Sequence, residues 1–265
     1  MKAEDQVEVG IYPSSFSSSL SLTKWWSKET VAIVTGANKG IGFAVVKRLA
    51  ELGLTVILTA RDVERGEKAV DLLRRQGLLH VSFCQLDVSD SSSIRTFVLW
   101  FKNKFGVLDI LVNNAAVSFM TLENSLLTES LLPFFKVRNP NIKQILQQED
   151  LSEDQIDQIA KLFLQTVKNG TWESQGWPKL WTDYAVSKLA LNAYSRVLAK
   201  RYEKKGISVN YYCPGFTQTS MTRGQGTHSA NDAAEVVARL VLLLPEELST
   251  AKFYIGFNPF VKSKL

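Results

Sequence analysis

The sequence predicts an α/β protein built on a single Rossmann-type, doubly wound parallel sheet. From residue 30 onward, short runs of β-branched residues alternate with amphipathic helical segments, a pattern typical of parallel strands joined by helices. The first strand–helix–strand unit is complete within about 30 residues. The turn between its strand and its helix contains Gly36, Gly40 and Gly42.

Up to residue 113 the predicted elements follow one another without interruption. They are defined by their hydrophobic periodicity and by the glycines that close the helices. The strands are VAIVT (31–35), TVILTA (55–60), HVSFCQL (80–86) and LDILVN (108–113), and the helices are IGFAVVKRLAEL (41–52), DVERGEKAVDLLRRQ (62–76) and DSSSIRTFVLWFKNKF (90–105).

After Asn114 the alternation fails, and no strand-like run occurs before Tyr184. That stretch predicts helices at LLTESLLPFF (126–135), NIKQILQQ (141–148) and SEDQIDQIAKLFLQTVK (152–168), the last beginning with a capping box of Ser152 and Gln155. Regularity then returns with a helix from Thr182 to about Lys204, a strand ISVNYY (207–212), a helix ANDAAEVVARLVLLL (230–244) and a strand KFYIGF (252–257).

The composition excludes several classes of protein. Hydrophobic residues make up 45% and charged residues 22% of the chain, which argues against disorder, a collagen-like repeat and a disulfide scaffold. The net charge of +5 is spread along helical segments, so we expect no nucleic-acid partner. Cys84 and Cys213 are expected to be reduced thiols, and they are too few for a zinc site, so no metal is predicted.

Residues 1–29 are expected to form a flexible tail, and residues 30–265 a single domain. The tail has early acids, a serine-rich stretch and no long apolar run, which fits neither a signal peptide nor a transit peptide. No segment approaches the 18 apolar residues of a membrane span, so a cytoplasmic protein without membrane contact is predicted. Trp25 and Trp26 are expected to anchor the tail to the body.

The segment TGANKGIG (35–42) lies where the first strand meets the first helix. Glycine permits positive φ and has no Cβ to block a pyrophosphate, and the N–H groups of a helix N-terminus attract an anion. The position inside a strand–helix–strand unit makes this a dinucleotide site, whereas a tight turn alone would use the same residue types. The predicted binding residues are Gly36, Asn38, Lys39, Gly40, Ile41 and Gly42.

Cofactor choice depends on the end of the second strand, where the ribose 2′ position of an adenine dinucleotide falls. Arg61 follows this strand and Lys39 can approach the same point, so two cations would meet a 2′-phosphate. The sequence therefore favours NADP(H) over NAD(H). In the alternative interpretation Arg61 is a solvated surface residue, and Asp62 is the hydroxyl acceptor used for NAD or a helix N-cap.

Two further strand ends border the same predicted site, because ligands of open α/β sheets lie beyond the carboxyl ends of the strands. Asp87 and Val88 follow the third strand and are expected at the adenine edge. Asn113, Asn114 and Ala115 follow the fourth strand and are expected beside the ribose.

Tyr184 and Lys188 lie four residues apart on a predicted helix, so both side chains share one face. A tyrosine of pKa about 10 is a reluctant acid-base catalyst at neutral pH. A nearby ammonium and a positive nicotinamide favour the tyrosinate and are expected to lower that pKa. The pair is a candidate catalytic acid with its supporting cation, although the same spacing also arises by chance in helices.

These segments resemble the short-chain dehydrogenases/reductases, in particular a plant group of menthone, neomenthol and salutaridine reductases related to the carbonyl reductases. The resemblance covers nearly everything from residue 30 to about 219. It rests on TGANKGIG, LTARD, QLDVSD, LDILVNNAA, WESQGWPKLWTDYAVSKLALNAYSRVLAK and CPGFTQT.

The resemblance implies NADPH-dependent reduction of a small-molecule carbonyl, or oxidation of the corresponding alcohol. Tyr184 would be the general acid, and Lys188 would hold the nicotinamide ribose. The residues expected to close over the nicotinamide are Pro214, Gly215, Thr217 and Thr219. Residues 137–178 resemble the group's helical insertion before the tyrosine, which is associated with monomeric members.

The chain departs from the family after the fourth strand. Members carry a T-N-x-x-G helix and then a fifth strand that ends in a serine pair, and neither is found here. Ser174 lies in the insertion and is not expected to replace that serine, and Ala116 stands where glycine usually follows Asn-Asn-Ala. The sheet is therefore expected to lack or rearrange its fifth strand, and loss of an oxyanion donor typically lowers turnover by about 10²- to 10³-fold.

Two other functions compete with that of a reductase. The missing serine and asparagine favour a non-catalytic NADP(H)-binding or regulatory protein, or a truncated isoform. A methyltransferase on a similar sheet is disfavoured, because its cofactor has no pyrophosphate for Lys39 and Gly40 to hold.

Overall fold

The computed structural model describes residues 24–117, 137–179, 182–244 and 247–256. The elements are β1 (Val31–Val34), α1 (Gly40–Glu51), β2 (Thr55–Ala60), α2 (Val63–Arg75), β3 (Val81–Gln85), α3 (Ser91–Lys104), β4 (Ile110–Val112), α4 (Pro140–Gln147), α5 (Glu153–Lys168), α6 (Thr182–Tyr202), a short 3-10 turn (Glu203–Lys205), β5 (Tyr211–Cys213), β6 (Thr217–Gln218), β7 (His228–Ser229), α7 (Ala230–Val241) and β8 (Phe253–Ile255). The helix predicted at 126–135 lies outside the described residues.

The chain divides into two compact units. The sheet unit contains residues 24–117, 214–244 and 247, and the tyrosine unit contains residues 137–179, 182–213 and 248–256. The division into a tail and one domain therefore stays a prediction.

The sheet unit contains a four-stranded parallel sheet in the order β3-β2-β1-β4. All of β1 and most of β2 are buried, as expected for apolar strands covered on both faces. Among the described residues β4 pairs with β1 alone, and only helices lie between β4 and β5. The α/β class and its parallel sheet are confirmed, and in this part of the chain no fifth strand extends the sheet beyond β4.

The tyrosine unit holds a second, two-stranded parallel sheet in which β5 pairs with β8. The strand predicted from residue 207 begins only at Tyr211. The reason is that Val209 and Asn210 bond to loop residues: Val209 N donates to Thr250 Oγ1 at 3.0 Å, and Asn210 Nδ2 donates to the Ser249 carbonyl at 2.8 Å. These side-chain bonds replace a regular strand ladder.

Helices α4, α5 and α6 form the core of the tyrosine unit. Ile142, Ile159 and Phe163 pack with Trp177 and Val186 in one buried cluster. The predicted capping box at the start of α5 is confirmed, because Ser152 Oγ accepts the Gln155 N–H while the Gln155 side chain accepts the Ser152 N–H. This cluster fixes one face of α6.

Trp25 and Trp26 anchor the start of the described chain, as predicted. Trp26 is buried and its indole N–H donates to the Leu52 carbonyl at 3.2 Å, while the Trp25 indole donates to the Leu242 carbonyl at 3.1 Å. Leu52 and Leu242 are the C-caps of α1 and α7, so each indole satisfies a carbonyl that a helix end leaves free.

None of the helices that the structure describes is both long and apolar enough to span a bilayer. Neither Cys84 nor Cys213 forms a disulfide within the described part of the chain, which fits the prediction of reduced thiols.

Candidate active site

Two of the predicted glycines form a cradle that has no room for a Cβ atom. A Cβ on Gly36 would lie 2.7 Å from the Cα of Ala115, and one on Gly42 would lie 2.3 Å from Nδ2 of Asn114. Gly36 also has a φ of +60°, which other residues rarely adopt. The glycine turn and the end of β4 are therefore in close contact, as expected for the carboxyl ends of neighbouring parallel strands.

Thr35 and Asn114 hold this cradle together. The Thr35 hydroxyl accepts the backbone N–H groups of Asn114 and Ala115, each at 3.0 Å. The Asn114 amide donates in return to the carbonyls of Thr35 at 2.9 Å and Gly36 at 3.2 Å. The turn is thus rigid before any ligand arrives.

The N-terminus of α1 is open to an anion. Lys39 occupies the N-cap position without a capping bond, and the first turn carries no acid. By contrast, a side-chain oxygen accepts a first-turn N–H at the start of α2, α3, α4, α5 and α7. The N–H groups of α1 and its positive dipole end remain available to a phosphate.

Lys39 and Arg61 are exposed, and within the described residues neither side chain has a hydrogen-bonded or ion-paired partner. Asp62 has a different role: its carboxylate accepts the Arg65 N–H at 2.9 Å and caps α2. This is one of the two roles left open for Asp62, and it leaves Arg61 as the cation at the end of β2.

Asp87 lies at the end of β3, where the sequence places the adenine edge. Its carboxylate accepts the Ser89 hydroxyl at 2.6 Å and the Ser89 N–H at 2.9 Å. These bonds, with a smaller contribution from the Arg61 charge, hold the pKa of Asp87 below its ordinary value. The neighbouring Val88 exposes 47% of its surface, so an apolar side chain is presented beside a fixed carboxylate.

The segment from Pro214 to Thr219 is fixed by its own hydroxyl groups. Thr217 is buried and donates through Oγ1 to the Pro214 carbonyl at 3.1 Å, and the Thr219 N–H donates to Thr222 Oγ1 at 3.0 Å. A Cβ on Gly40 would lie 3.6 Å from the Thr219 methyl carbon. The structure therefore brings Thr219 beside the glycine turn.

In the tyrosine unit, α6 presents two different faces. Val186, Leu189, Ala190, Ala193 and Val197 pack against α4 and α5. Tyr184 and Lys188 lie on another face, one turn apart, and the Lys188 ammonium is 5.5 Å from the centre of the Tyr184 ring. The predicted proximity of this pair is confirmed.

The expected lowering of the Tyr184 pKa is wrong for the protein without its cofactor. Burial raises the pKa of Tyr184 and lowers the pKa of Lys188, because desolvation disfavours the charged form of each group. The ammonium lies over the ring and does not lower the pKa of Tyr184.

Two residues that sequence reasoning missed contribute to these sites. Thr35, 4% exposed, organises the cradle, and its signal was a hydroxyl residue between a buried strand and the first glycine. A negative charge on Cys213 would raise the pKa of both Tyr184 and Lys188, although burial is the larger influence on each. Ser174 is engaged elsewhere, since it donates to the Thr171 carbonyl at 2.9 Å.

Comparisons with known proteins show which proteins this chain is similar to. A family described as enoyl-(acyl carrier protein) reductase matches residues 36–251. The (+)-neomenthol dehydrogenase of Arabidopsis thaliana is 32% identical in an alignment of 284 positions, which covers 84% of this chain and 95% of that protein. Human carbonyl reductase (NADPH) 3 is 35% identical over 257 residues, covering 82% of this chain and 92% of the relative.

A solved structure extends the likeness to the fold. The structure of salutaridine reductase from Papaver somniferum is 31% identical and covers 85% of this chain and 99% of that one, with a TM-score of 0.76. The 284 positions aligned with neomenthol dehydrogenase exceed the 265 residues of this chain. That relative therefore carries residues, within the matched region, that have no counterpart here.

Proposed function

Because the chain belongs to the short-chain dehydrogenase/reductase family, we propose that it binds NADP(H) and reduces a ketone or aldehyde to an alcohol, or catalyses the reverse oxidation. The observation that carries this proposal is the glycine cradle beside the uncapped start of α1. A Cβ would fill the cradle at Gly36 and Gly42, and the helix N-terminus has unsatisfied N–H groups for a phosphate.

The donor set fits a phosphorylated dinucleotide. The pyrophosphate would lie against Gly36, Gly40 and the α1 N-terminus, and a 2′-phosphate would lie against Lys39 and Arg61. The remaining proposed contacts are Asn38, Ile41, Gly42, Asp87, Val88, Asn113, Asn114, Ala115, Pro214, Gly215, Thr217 and Thr219, together with Tyr184 and Lys188.

NADPH, when bound, supplies the hydride for the reduction. Tyr184 donates the proton that the carbonyl oxygen requires, and its raised pKa keeps that proton in place through neutral pH. Lys188 holds the nicotinamide ribose, and its charge stabilises the tyrosinate left behind. The serine that would steady the carbonyl is missing from the sequence, so turnover should be slow.

The missing serine also supports a second candidate, a non-catalytic NADP(H)-binding protein. Titration of the protein with NADPH, followed by fluorescence, tests binding. Consumption of NADPH with a panel of cyclic ketones then separates the two candidates: binding with turnover supports the reductase, and binding without turnover supports the second candidate. Failure to bind NADPH overturns both.

We expect NADP(H) to bind more tightly than NAD(H), because Lys39 and Arg61, which have no hydrogen-bonded or ion-paired partner in the described part of the chain, would meet the 2′-phosphate. Arg61→Ala should narrow the gap between the two dissociation constants by roughly 10-fold, the value of a charge-assisted hydrogen bond of about 1.5 kcal/mol. Isothermal titration with both cofactors measures this gap. Arg75→Ala, an exposed arginine in the last turn of α2, is the matched control and should leave the gap unchanged. Equal binding of the two cofactors by the unaltered protein would contradict the role of these cations.

The protein should be a monomer in the cytoplasm without nucleic-acid or membrane partners. Helices α4 and α5 belong to the segment 137–178, which would cover the face that other family members use to associate. Multi-angle light scattering at several concentrations decides the oligomeric state. A stable tetramer would refute the prediction, whereas mass that rises steadily with concentration would indicate loose aggregation through exposed apolar side chains such as Leu99 and Leu111.

A further inference from the structure

The side chain of Gln85 bonds to the backbone of Arg61. Its amide Nε2 donates to the Arg61 carbonyl at 3.0 Å. Gln85 is the last residue of β3 and pairs with Ala60, the last residue of β2, and the Leu86 N–H donates to the Ala60 carbonyl at 3.0 Å. The Gln85 amide thus extends the bonding between the two strands by one residue beyond the end of the ladder.

The backbone of Arg61 is held by this bond and by the bonds of the residues before and after it. The residue before it, Ala60, is held by the ladder, and the residue after it, Asp62, is held as the N-cap of α2 by the Arg65 N–H at 2.9 Å. The carbonyl of Arg61 itself is held by Gln85. The backbone from which the guanidinium extends is therefore ordered before a ligand binds.

The guanidinium remains available because its two neighbouring carboxylates are engaged elsewhere. The Asp62 carboxylate accepts the Arg65 backbone N–H and also lies 3.5 Å from the Arg65 Nε atom. The Asp87 carboxylate accepts two hydrogen bonds from Ser89. Within the described residues no carboxylate forms an ion pair with Arg61. A fixed backbone and an unpaired cation are what a phosphate site requires at low entropic cost.

We propose that Gln85 is a positioning residue for the 2′-phosphate of NADP(H), because its amide fixes the backbone of Arg61 and so directs the guanidinium to that phosphate. The proposal rests on the proposed function, and it adds a determinant of cofactor preference that does not touch the cofactor. The Arg61 carbonyl needs a hydrogen-bond donor, which the Gln85 amide supplies. An ionised carboxylate at this position would have no proton to donate.

The experiment compares the dissociation constants of 2′,5′-ADP and 5′-AMP, two fragments that differ in the 2′-phosphate and need no turnover. Gln85→Met keeps the length of the side chain and removes the donor. It should raise the dissociation constant of 2′,5′-ADP by about 2- to 10-fold, the effect of losing one hydrogen bond, and leave that of 5′-AMP unchanged. Gln85→Glu should weaken 2′,5′-ADP further, because it adds a negative charge. The exposed Gln76→Met is the matched control.

In the Arg61→Ala background, Gln85→Met should not change the ratio of the dissociation constants of 2′,5′-ADP and 5′-AMP any further, because Gln85 acts through Arg61. If Gln85→Met weakens both fragments equally, or leaves the ratio at its original value, the positioning role is refuted. If the unaltered protein binds both fragments equally, the cofactor assignment itself fails. Thermal melting of each variant shows that it is folded. If Gln85→Met is not folded, Gln85→Leu, which also removes the donor and adds no charge, tests the proposal in its place.

Discussion

Replacing Tyr184 with phenylalanine should lower any measurable rate of ketone reduction by about 10²- to 10⁴-fold, the usual contribution of a positioned general acid. Phenylalanine keeps the ring that Lys188 faces at 5.5 Å and removes only the hydroxyl. NADPH binding should therefore be retained. The measurement is single-turnover oxidation of bound NADPH, made on protein that near-UV circular dichroism shows to be folded.

Tyr194→Phe is a matched control, because Tyr194 is an exposed tyrosine on the same helix, α6. It should leave the rate unchanged. The pH profile offers a second control. Because burial raises the pKa of Tyr184, the reduction rate should be level through neutral pH and fall only above the ordinary tyrosine value of about 10. The residual rate of the Tyr184→Phe variant should not fall in this way at high pH, because the variant has no hydroxyl at this position to ionise.

Two outcomes would revise the assignment of the acid. A brisk reductase that is indifferent to Tyr184→Phe would mean that a different group donates the proton. Brisk turnover that does depend on Tyr184 would mean that another donor has taken the place of the missing serine. Ser118 and Ser125 are the candidates for that donor, and both lie outside the described residues.

Local patterns predicted most of the fold because each carried its own physical signal. β2 was predicted with its observed bounds, Thr55–Ala60, since a buried parallel strand is a short apolar run between turn signals. The capping box at Ser152 was equally direct, because both bonds form between residues three apart. Such interactions depend on neighbours in the chain and need no tertiary contact.

The errors arose where distant residues decide the outcome. β5 is short because Val209 and Asn210 bond to the loop at 249–250, about 40 residues later in the chain, which no local pattern reveals. The Tyr184 pKa rises because the side chain is buried, and burial depends on packing. The spacing of the pair in the helix predicted their proximity but could not predict how much water each side chain loses.

Gly42→Ala should destabilise the sheet unit and abolish NADPH binding at concentrations that saturate the unaltered protein. The new methyl would lie 2.3 Å from the Asn114 amide nitrogen and 2.9 Å from the Cα of Ala37, so the amide must move. Overpacking costs about 1–3 kcal/mol, and each of the two bonds from Asn114 to the glycine turn adds about 0.5–1.5 kcal/mol when lost. The free energy of unfolding from urea titration should fall by roughly 2–6 kcal/mol.

Gly77→Ala is the control for the effect of alanine at a glycine position, because nothing lies within 4 Å of its Cβ position and only the φ of +86° opposes the substitution. It should cost about 1–2 kcal/mol and leave NADPH binding intact. In the Asn114→Ala background the nearest clash is gone, so Gly42→Ala should cost less there than in the unaltered protein. An equal cost in both backgrounds would show that Asn114 does not fix the cradle. If Gly42→Ala binds NADPH with the original affinity, the close approach at Gly42 is not needed for cofactor binding.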